Sequence, residues 1–353
     1  MSSSASASRA FITGLAATTI SAAERAFLRE AAPWGLILFK RNISSQQQVT
    51  ELTRYFRDVV GWEAPVLVDQ EGGRVQRLGP PHWPAYPPGV RYGEIYDRDP
   101  TSGLAAARLA GHLIAADLAA VGIDTDCLPI ADVPVAGSDA VIGDRAYGTE
   151  PGKVAAIAGA VAQGLLAGGV LPVLKHLPGH GRATADSHHR LPHVDTPRAT
   201  LEATDFAAFR PLAGLPLGMT AHVVFSAIDP HAPATTSVTM VREVIRHAIG
   251  FQGLLMSDDV SMGALSGTIA ERSKAALAAG CDVVLHCNGD LNEMREVANA
   301  AGELTGAAKA RAEAALALRG AREEFDVAAA RAIFNDMVAL RDDPGPPKGM
   351  TGS

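Results

Sequence analysis

Eight short apolar runs recur along this chain of 353 residues, and a longer stretch with helical spacing follows most of them. The runs are AFITGL (10–15), GLILF (35–39), APVLVD (64–69), GIDTDCLPI (122–130), LPVLKH (171–176), LGMTAHV (217–223), GLLMSD (253–258) and DVVLHC (282–287). Strand followed by helix, repeated, is the order that parallel strands joined by crossover helices require. Eight such units fit a single (β/α)8 TIM-type barrel. They fit a doubly wound sheet less well, since it usually has fewer strands and a nucleotide fingerprint at its first turn.

Helical segments are expected near 102–121, 151–167, 198–210, 238–249, 268–279 and 290–303. Two more helices have start signals: Ser21 with Glu24 as a capping box, and Ser45 before a run of glutamines. After 64–69 a Pro- and Gly-rich loop runs to about residue 100 in place of a prompt helix, and long loops in compact domains usually carry function. Residues 307–341, rich in Ala, Arg and Glu, are expected to add C-terminal helices outside the barrel. The composition of 342–353 predicts a disordered tail. No linker or repeat divides the chain, so one domain is expected over 1–341, with its core over about 10–303.

A hydrophobic content of 47% can fill such a core. The formal charge of −7 and the absence of a basic stripe argue against a nucleic-acid partner and favour a small molecule. Three scattered cysteines, Cys127, Cys281 and Cys287, read as core thiols of a reducing compartment. The start, MSSSASASRAFITGLAATT, makes a poor secretory signal, so the cytoplasm is the expected location, and a monomer is the expected state. The stretch from Val154 to Leu174 is long and apolar enough to suggest a membrane span. Gly168, Gly169 and Pro172 cut it into a helix and a strand, and no membrane partner is expected.

Barrel enzymes carry their reacting groups at the carboxyl ends of the strands. Here those ends hold Asp69, Lys175, His176, His222 and Asp258. One loop concentrates histidine: KHLPGHGRATADSHHRLP, from Lys175 to Pro192, contains four of the chain's 11. His176 and His180 have the i, i+4 spacing of two metal ligands on a helix, but Pro178, Gly179 and Gly181 forbid that helix. A loop zinc site completed by Asp186 is the weaker reading that remains. GHGRAT lacks the third glycine of a phosphate turn, and no GxSxG elbow occurs.

Acid–base work suits the loop better. Asp186 and His188 stand two apart, so in an extended segment a carboxylate can hold one imidazole nitrogen and leave the other for a substrate. An Asx-type turn with a solvent-facing histidine explains the same pentapeptide equally well. SDDVSM (257–262) supplies two adjacent carboxylates. Strand alternation groups Asp258 with Leu254 and Met256, leaving Asp259 as the N-cap of a helix over VSMGAL.

Together the segments VDQEGGRVQRL (68–78), GDRAYG (143–148), KHLPGHGRATADSH (175–188), MTAHVVF (219–225), GFQGLLMSDDVSMGAL (250–265) and AGCDVVLHCN (279–288) resemble glycoside hydrolase family 3 β-N-acetylhexosaminidases. The likeness is strongest to the compact single-barrel bacterial enzymes of peptidoglycan recycling, and it spans about residues 10–290. It implies a retaining hydrolase that removes terminal β-linked N-acetylglucosamine from muropeptides carrying N-acetylglucosaminyl-1,6-anhydro-N-acetylmuramic acid, without cofactor or metal. On the family's motif Asp258 is the nucleophile and His188 the acid/base, held by Asp186. Asp69, Arg77, Arg145, Lys175, His176 and His222 fall on or beside its sugar-binding positions.

Two departures stand out: Leu177 replaces the usual phenylalanine, and His189 doubles the histidine after the motif. Gly179 and Gly181 are expected to let the loop swing closed over bound sugar. A histidine acid/base adds no second negative charge beside the sugar, so phosphorolysis is the alternative reaction on the same site. A metal-dependent barrel hydrolase and a non-catalytic carbohydrate-binding protein are the readings from other classes.

Overall fold

The computed structural model describes residues 8–187, 190–320 and 322–339. All eight expected runs become strands of one closed, parallel barrel: β1 Arg9–Thr13, β2 Pro33–Leu38, β3 Val66–Val68, β4 Thr125–Asp126, β5 Leu171–Leu177, β6 Leu217–Thr220, β7 Leu254–Asp259 and β8 Val283–His286. Each strand pairs with its neighbours in the chain, and β8 closes on β1. Every residue of β2 and β5 is buried, as strands lying between a packed barrel interior and an outer ring of helices must be. β4 is shorter than the run 122–130 suggests. Pro129 lacks the N–H a strand needs, and pairing with β5 resumes at Ile130 and Lys175.

The helix starts read from the sequence are present. In α1 (Ala22–Ala31) the Ser21 hydroxyl accepts from the Glu24 amide at 3.2 Å, and the Glu24 carboxylate accepts from the Ser21 amide at 2.8 Å. Ser45 caps α2 (Gln46–Val60) in the same sense. The loop after β3 departs from expectation, since it contains a hairpin of Gln70–Gly72 with Val75–Gln76 and a helix, α3 (Gly89–Arg98), just before α4 (Pro100–Ala119). Gly89 and Gly93 weaken the helical signal of α3, yet packing requires both. A Cβ on either would lie 2.0 Å from a carbonyl oxygen, that of Arg145 or of Tyr147. The glycine face of α3 thus supports the segment that carries Arg145.

The apolar stretch 154–174 divides as expected into α5 (Pro151–Ala167) and β5. Among the described residues no helix is long and apolar enough to cross a membrane. The segment 198–210 forms two short helices, Arg198–Ala203 and Asp205–Phe209, divided at Thr204. All three cysteines are buried and free.

Beyond the barrel come the helices Gly306–Leu316 and Val327–Val338. The second clamps the long β3–α4 loop: Phe334 packs on Tyr86 with ring centroids 6.0 Å apart, and Arg331 donates to Asp117 of α4 at 2.8 Å and to the Tyr86 hydroxyl at 3.1 Å. One continuous hydrophobic cluster runs from Ala10 to Phe334. The expected disordered tail, 342–353, lies outside the described residues.

Candidate active site

A cavity of about 460 Å³ opens where the strands end. Asp69, Arg77, Arg145, Lys175, His176 and Asp258 all line it, joined by Asp186. Residues spread along the chain from Asp69 to Asp258 thus converge because each sits at a strand's carboxyl end or in the loop that follows.

Its floor is an ion network. Lys175, only 2% exposed, donates to Asp69 Oδ1 at 2.8 Å and to Glu71 Oε1 at 2.7 Å. Arg77 pairs with the other Asp69 oxygen at 2.9 Å, and Arg145 grips Glu71 through two bonds of 2.8 Å. Burial alone would raise both carboxyls. The ammonium of Lys175, with Arg77 on Asp69 and Arg145 on Glu71, outweighs it and holds each below its ordinary value. Three cations against two carboxylates leave one net positive charge, and Lys175 has three N–H donors of which the protein uses two. Such a floor can grip the hydroxyls of a polyol.

A bulge in β5 lies next to this floor: three steps from Leu174 to Leu177 face two on β6, Gly218 to Thr220. The extra residue places both Lys175 and His176 on the cavity. His176 Nδ1 lies 2.7 Å from Asp132 Oδ2, so the carboxylate fixes the proton on Nδ1 and leaves Nε2 for a ligand. The other oxygen of Asp132, which is fully buried, accepts from the His180 amide at 2.7 Å and the His176 amide at 3.3 Å. His180 places its Nε2 3.1 Å from the Ser187 hydroxyl. Burial pushes the imidazole of His180 down to about 4, so it is neutral at physiological pH.

β7 carries a matching bulge between Met256 and Asp259, where the Ser257 hydroxyl accepts the Leu285 amide at 3.0 Å. Simple alternation therefore ends at Met256. Both Asp258 and Asp259 line the cavity. Asp259 caps no helix: its carboxylate accepts from the Ser261 amide at 2.9 Å and hydroxyl at 2.6 Å, forming an Asx turn, and the next helix starts only at Ile269. Asp258 Oδ1 accepts from the Asp259 amide at 2.8 Å. Burial alone would raise the Asp258 carboxyl, but His222, His176 and that amide bring it below its ordinary value. It is an anion at neutral pH.

His222 is not part of the lining. It is fully buried, with Nδ1 2.7 Å from the Thr235 hydroxyl and Nε2 3.0 Å from the Asp259 carbonyl, so both nitrogens are spent on holding β7 in place. Among the described candidates from the sequence it alone stands behind the site. His188, the expected acid/base, and its neighbour His189 lie outside the described residues, and with them the end of the loop expected to swing. Gly181, taken as a source of that freedom, answers to packing: a Cβ there would sit 2.1 Å from the Val133 carbonyl. Gly179, at φ +140, holds a backbone shape that glycine favours.

Two contributors went unnoticed in the sequence, Glu71 and Asp132, and a third, His180, was weighed only as a metal ligand. Glu71 stood in plain view in VDQEGG, two residues past a strand end. Asp132 lies two beyond the run that ended at 130. The resemblance carried His180 only as motif context, and its bond to Ser187 depends on a fold no spacing reveals. Among the described residues no group of three or more His, Cys, Asp or Glu side chains could hold a metal ion.

Comparison with known proteins places this geometry in a family. The sequence profile described as the glycosyl hydrolase family 3 N-terminal domain matches residues 10–317. A β-hexosaminidase of Alkalilimnicola ehrlichii is 42% identical over 281 residues, covering 78% of this chain and 79% of that protein. One from Bordetella parapertussis is 38% identical over 278 residues, 78% of each. Among solved structures, NagZ of Neisseria gonorrhoeae in complex with N-trifluoroacetyl-D-glucosamine superposes with a TM-score of 0.79 at 31% identity, covering 94% of this chain and 99% of that one.

Proposed function

The chain belongs to glycoside hydrolase family 3 and is a β-N-acetylhexosaminidase, and on that premise we propose a retaining mechanism in which Asp258 attacks the anomeric carbon of a terminal β-linked N-acetylglucosamine. The observation that carries this is the ionised, half-buried Asp258 facing the same cavity as the Asp69–Lys175–Arg145 floor. The sugar's hydroxyls bind to Lys175, Arg77, Arg145, Asp69 and the free nitrogen of His176. His222, pinned between Thr235 and the Asp259 carbonyl, keeps Asp258 in line.

In the first step the carbon–oxygen bond to the aglycone breaks as the bond to Asp258 forms, and the departing oxygen takes a proton from the acid/base. The family motif assigns that role to His188, held by Asp186, which lines the cavity. In the second step the same imidazole removes a proton from water, and the hydroxide displaces Asp258. The substrate we propose is a muropeptide with N-acetylglucosamine on 1,6-anhydro-N-acetylmuramic acid, processed in the cytoplasm during peptidoglycan recycling. One domain over 1–341, acting as a monomer, contains the whole site.

Asp258→Ala assayed on a chromogenic β-N-acetylglucosaminide tests the assignment: turnover should fall by at least about 10³-fold, as removal of a covalent nucleophile does. Near-normal turnover would overturn it. Products formed with and without inorganic phosphate separate hydrolysis from phosphorolysis, and a chelator separates both from a metal-dependent reaction.

A further inference from the structure

The helix Val327–Val338 lies past residues 10–317, the stretch that the family profile matches. It nonetheless docks on the loop that carries Arg77, and one residue, Tyr86, stands at the junction.

Tyr86 is 3% exposed and is bonded on two sides. Outward, its hydroxyl donates to Asp117 Oδ2 at 2.6 Å and accepts from Arg331 Nη1 at 3.1 Å, while Arg331 Nη2 donates to the other Asp117 oxygen at 2.8 Å. Burial and the Asp117 carboxylate push this phenol above its ordinary value, so it keeps its proton for that bond. Phe334, one helical turn beyond Arg331, packs on the same ring with centroids 6.0 Å apart.

Inward, the Tyr86 backbone is bonded to the hairpin: its amide donates to Gln76 Oε1 at 2.9 Å, and its carbonyl accepts from the Gly73 amide at 2.9 Å. Gln76 then spans Arg77, its Nε2 donating to the Leu78 carbonyl at 2.7 Å and to the Pro84 carbonyl at 2.7 Å. The fit leaves no slack. A Cβ on Gly72 would lie 2.3 Å from the Pro87 carbonyl oxygen, and one on Gly73 would lie 2.8 Å from the Pro88 side chain. A shift of 84–88 therefore moves the hairpin, and with it Glu71 in one strand and Arg77 just past the other.

We propose that Tyr86 is a positioning residue for sugar binding: it passes the docking of Val327–Val338 to Arg77 without lining the sugar cavity itself. The proposal rests on the glycosidase function given above and adds to it a determinant of affinity that lies outside the barrel. Asp258 ends β7, on the far side of the barrel from β3, so the relay acts on binding and leaves the chemical step in place.

Tyr86→Phe and Arg331→Met, assayed on a chromogenic β-N-acetylglucosaminide well below each melting midpoint, test it. KM should rise about fivefold in each, the effect of one misplaced hydrogen bond, with kcat within about twofold of native. Arg331→Lys should restore part of the loss. In the double variant the rise should match that of one single variant, since both cut the same relay. Arg319→Met is the control: Arg319 donates to Asp124 and to the Glu63 carbonyl, each at 2.8 Å, at the amino ends of β3 and β4, so its variant should lose stability and keep the native KM. Should Arg331→Met not fold, Tyr86→Phe, which removes only the hydroxyl, carries the test. An unchanged KM in Tyr86→Phe, rises that multiply in the double variant, or an equal rise in the control overturns this inference alone. A native enzyme with no turnover on this substrate overturns the proposed function and this inference together.

Discussion

Lys175 Nζ lies 2.7 Å from Glu71 Oε1 in the floor of the cavity, with the two side chains 2% and 5% exposed. Two charges so far from water persist because each has further partners, Asp69 on one side and Arg145 on the other. Removing one partner of a buried pair costs about 3–5 kcal/mol, because the other charge stays behind. Lys175→Met should therefore lower unfolding free energy by about 3 kcal/mol and abolish turnover. Urea denaturation and a chromogenic assay check both, and a variant as stable as the native chain would contradict the network as described.

The same network sets an acid limit. Burial alone would raise Asp69 and Glu71, but Lys175 and the arginines bring them below the ordinary 3.8 and 4.5. At acid pH the unfolded chain then binds more protons at these sites than the folded one. Their stabilisation is complete above about pH 4.5 and is lost as pH falls through the lower folded values. The stability gap between native enzyme and Lys175→Met should accordingly narrow below about pH 4. Melting curves from pH 3 to 6 read this directly, and a gap that stays constant would count against it.

Asp132 holds His176 by its ring and both His176 and His180 by their amides. Asp132→Asn keeps the shape but replaces the oxygen that fixes the His176 proton with a group of changed donor capacity. Substrate binding should weaken, with KM rising about tenfold, the cost of one misplaced buried hydrogen bond. Michaelis constants for Asp132→Asn and Asp132→Glu measure it. An unchanged KM in Asp132→Asn would remove His176 from the ligand set.

His180 is neutral throughout the physiological range, its imidazole pushed down to about 4 by burial. Through Ser187 it steadies the loop next to Asp186. His180→Asn should lower kcat about tenfold by loosening that loop, while leaving both limbs of the pH–rate profile between pH 5 and 8 in place. Loss of a limb would make His180 a proton carrier, contrary to its assignment here.

Much of this was legible beforehand. The eight barrel strands were readable because strands covered on both sides must be apolar runs, and strand-end residues such as Asp69, Lys175 and Asp258 could be picked out by position. The α3 helix was hidden because its glycines serve a close approach to Arg145 and Tyr147 rather than helix propensity. Asp259 as a helix cap, and alternation carried past Met256, both failed on a bulge, and one extra residue in a strand leaves no mark in composition. His222 looked like a ligand-binding group because it ends a strand. Only the closeness of Thr235 and the Asp259 carbonyl shows that its nitrogens are already engaged.

The central claim is the covalent bond between Asp258 and the sugar. Inactivating the enzyme with a fluorinated N-acetylglucosaminyl fluoride, then digesting it and mapping the added mass, tests this most directly. The adduct should fall on the peptide containing Asp258, on that carboxylate alone. A label on any other side chain, or inactivation that leaves no covalent mass behind, would contradict it.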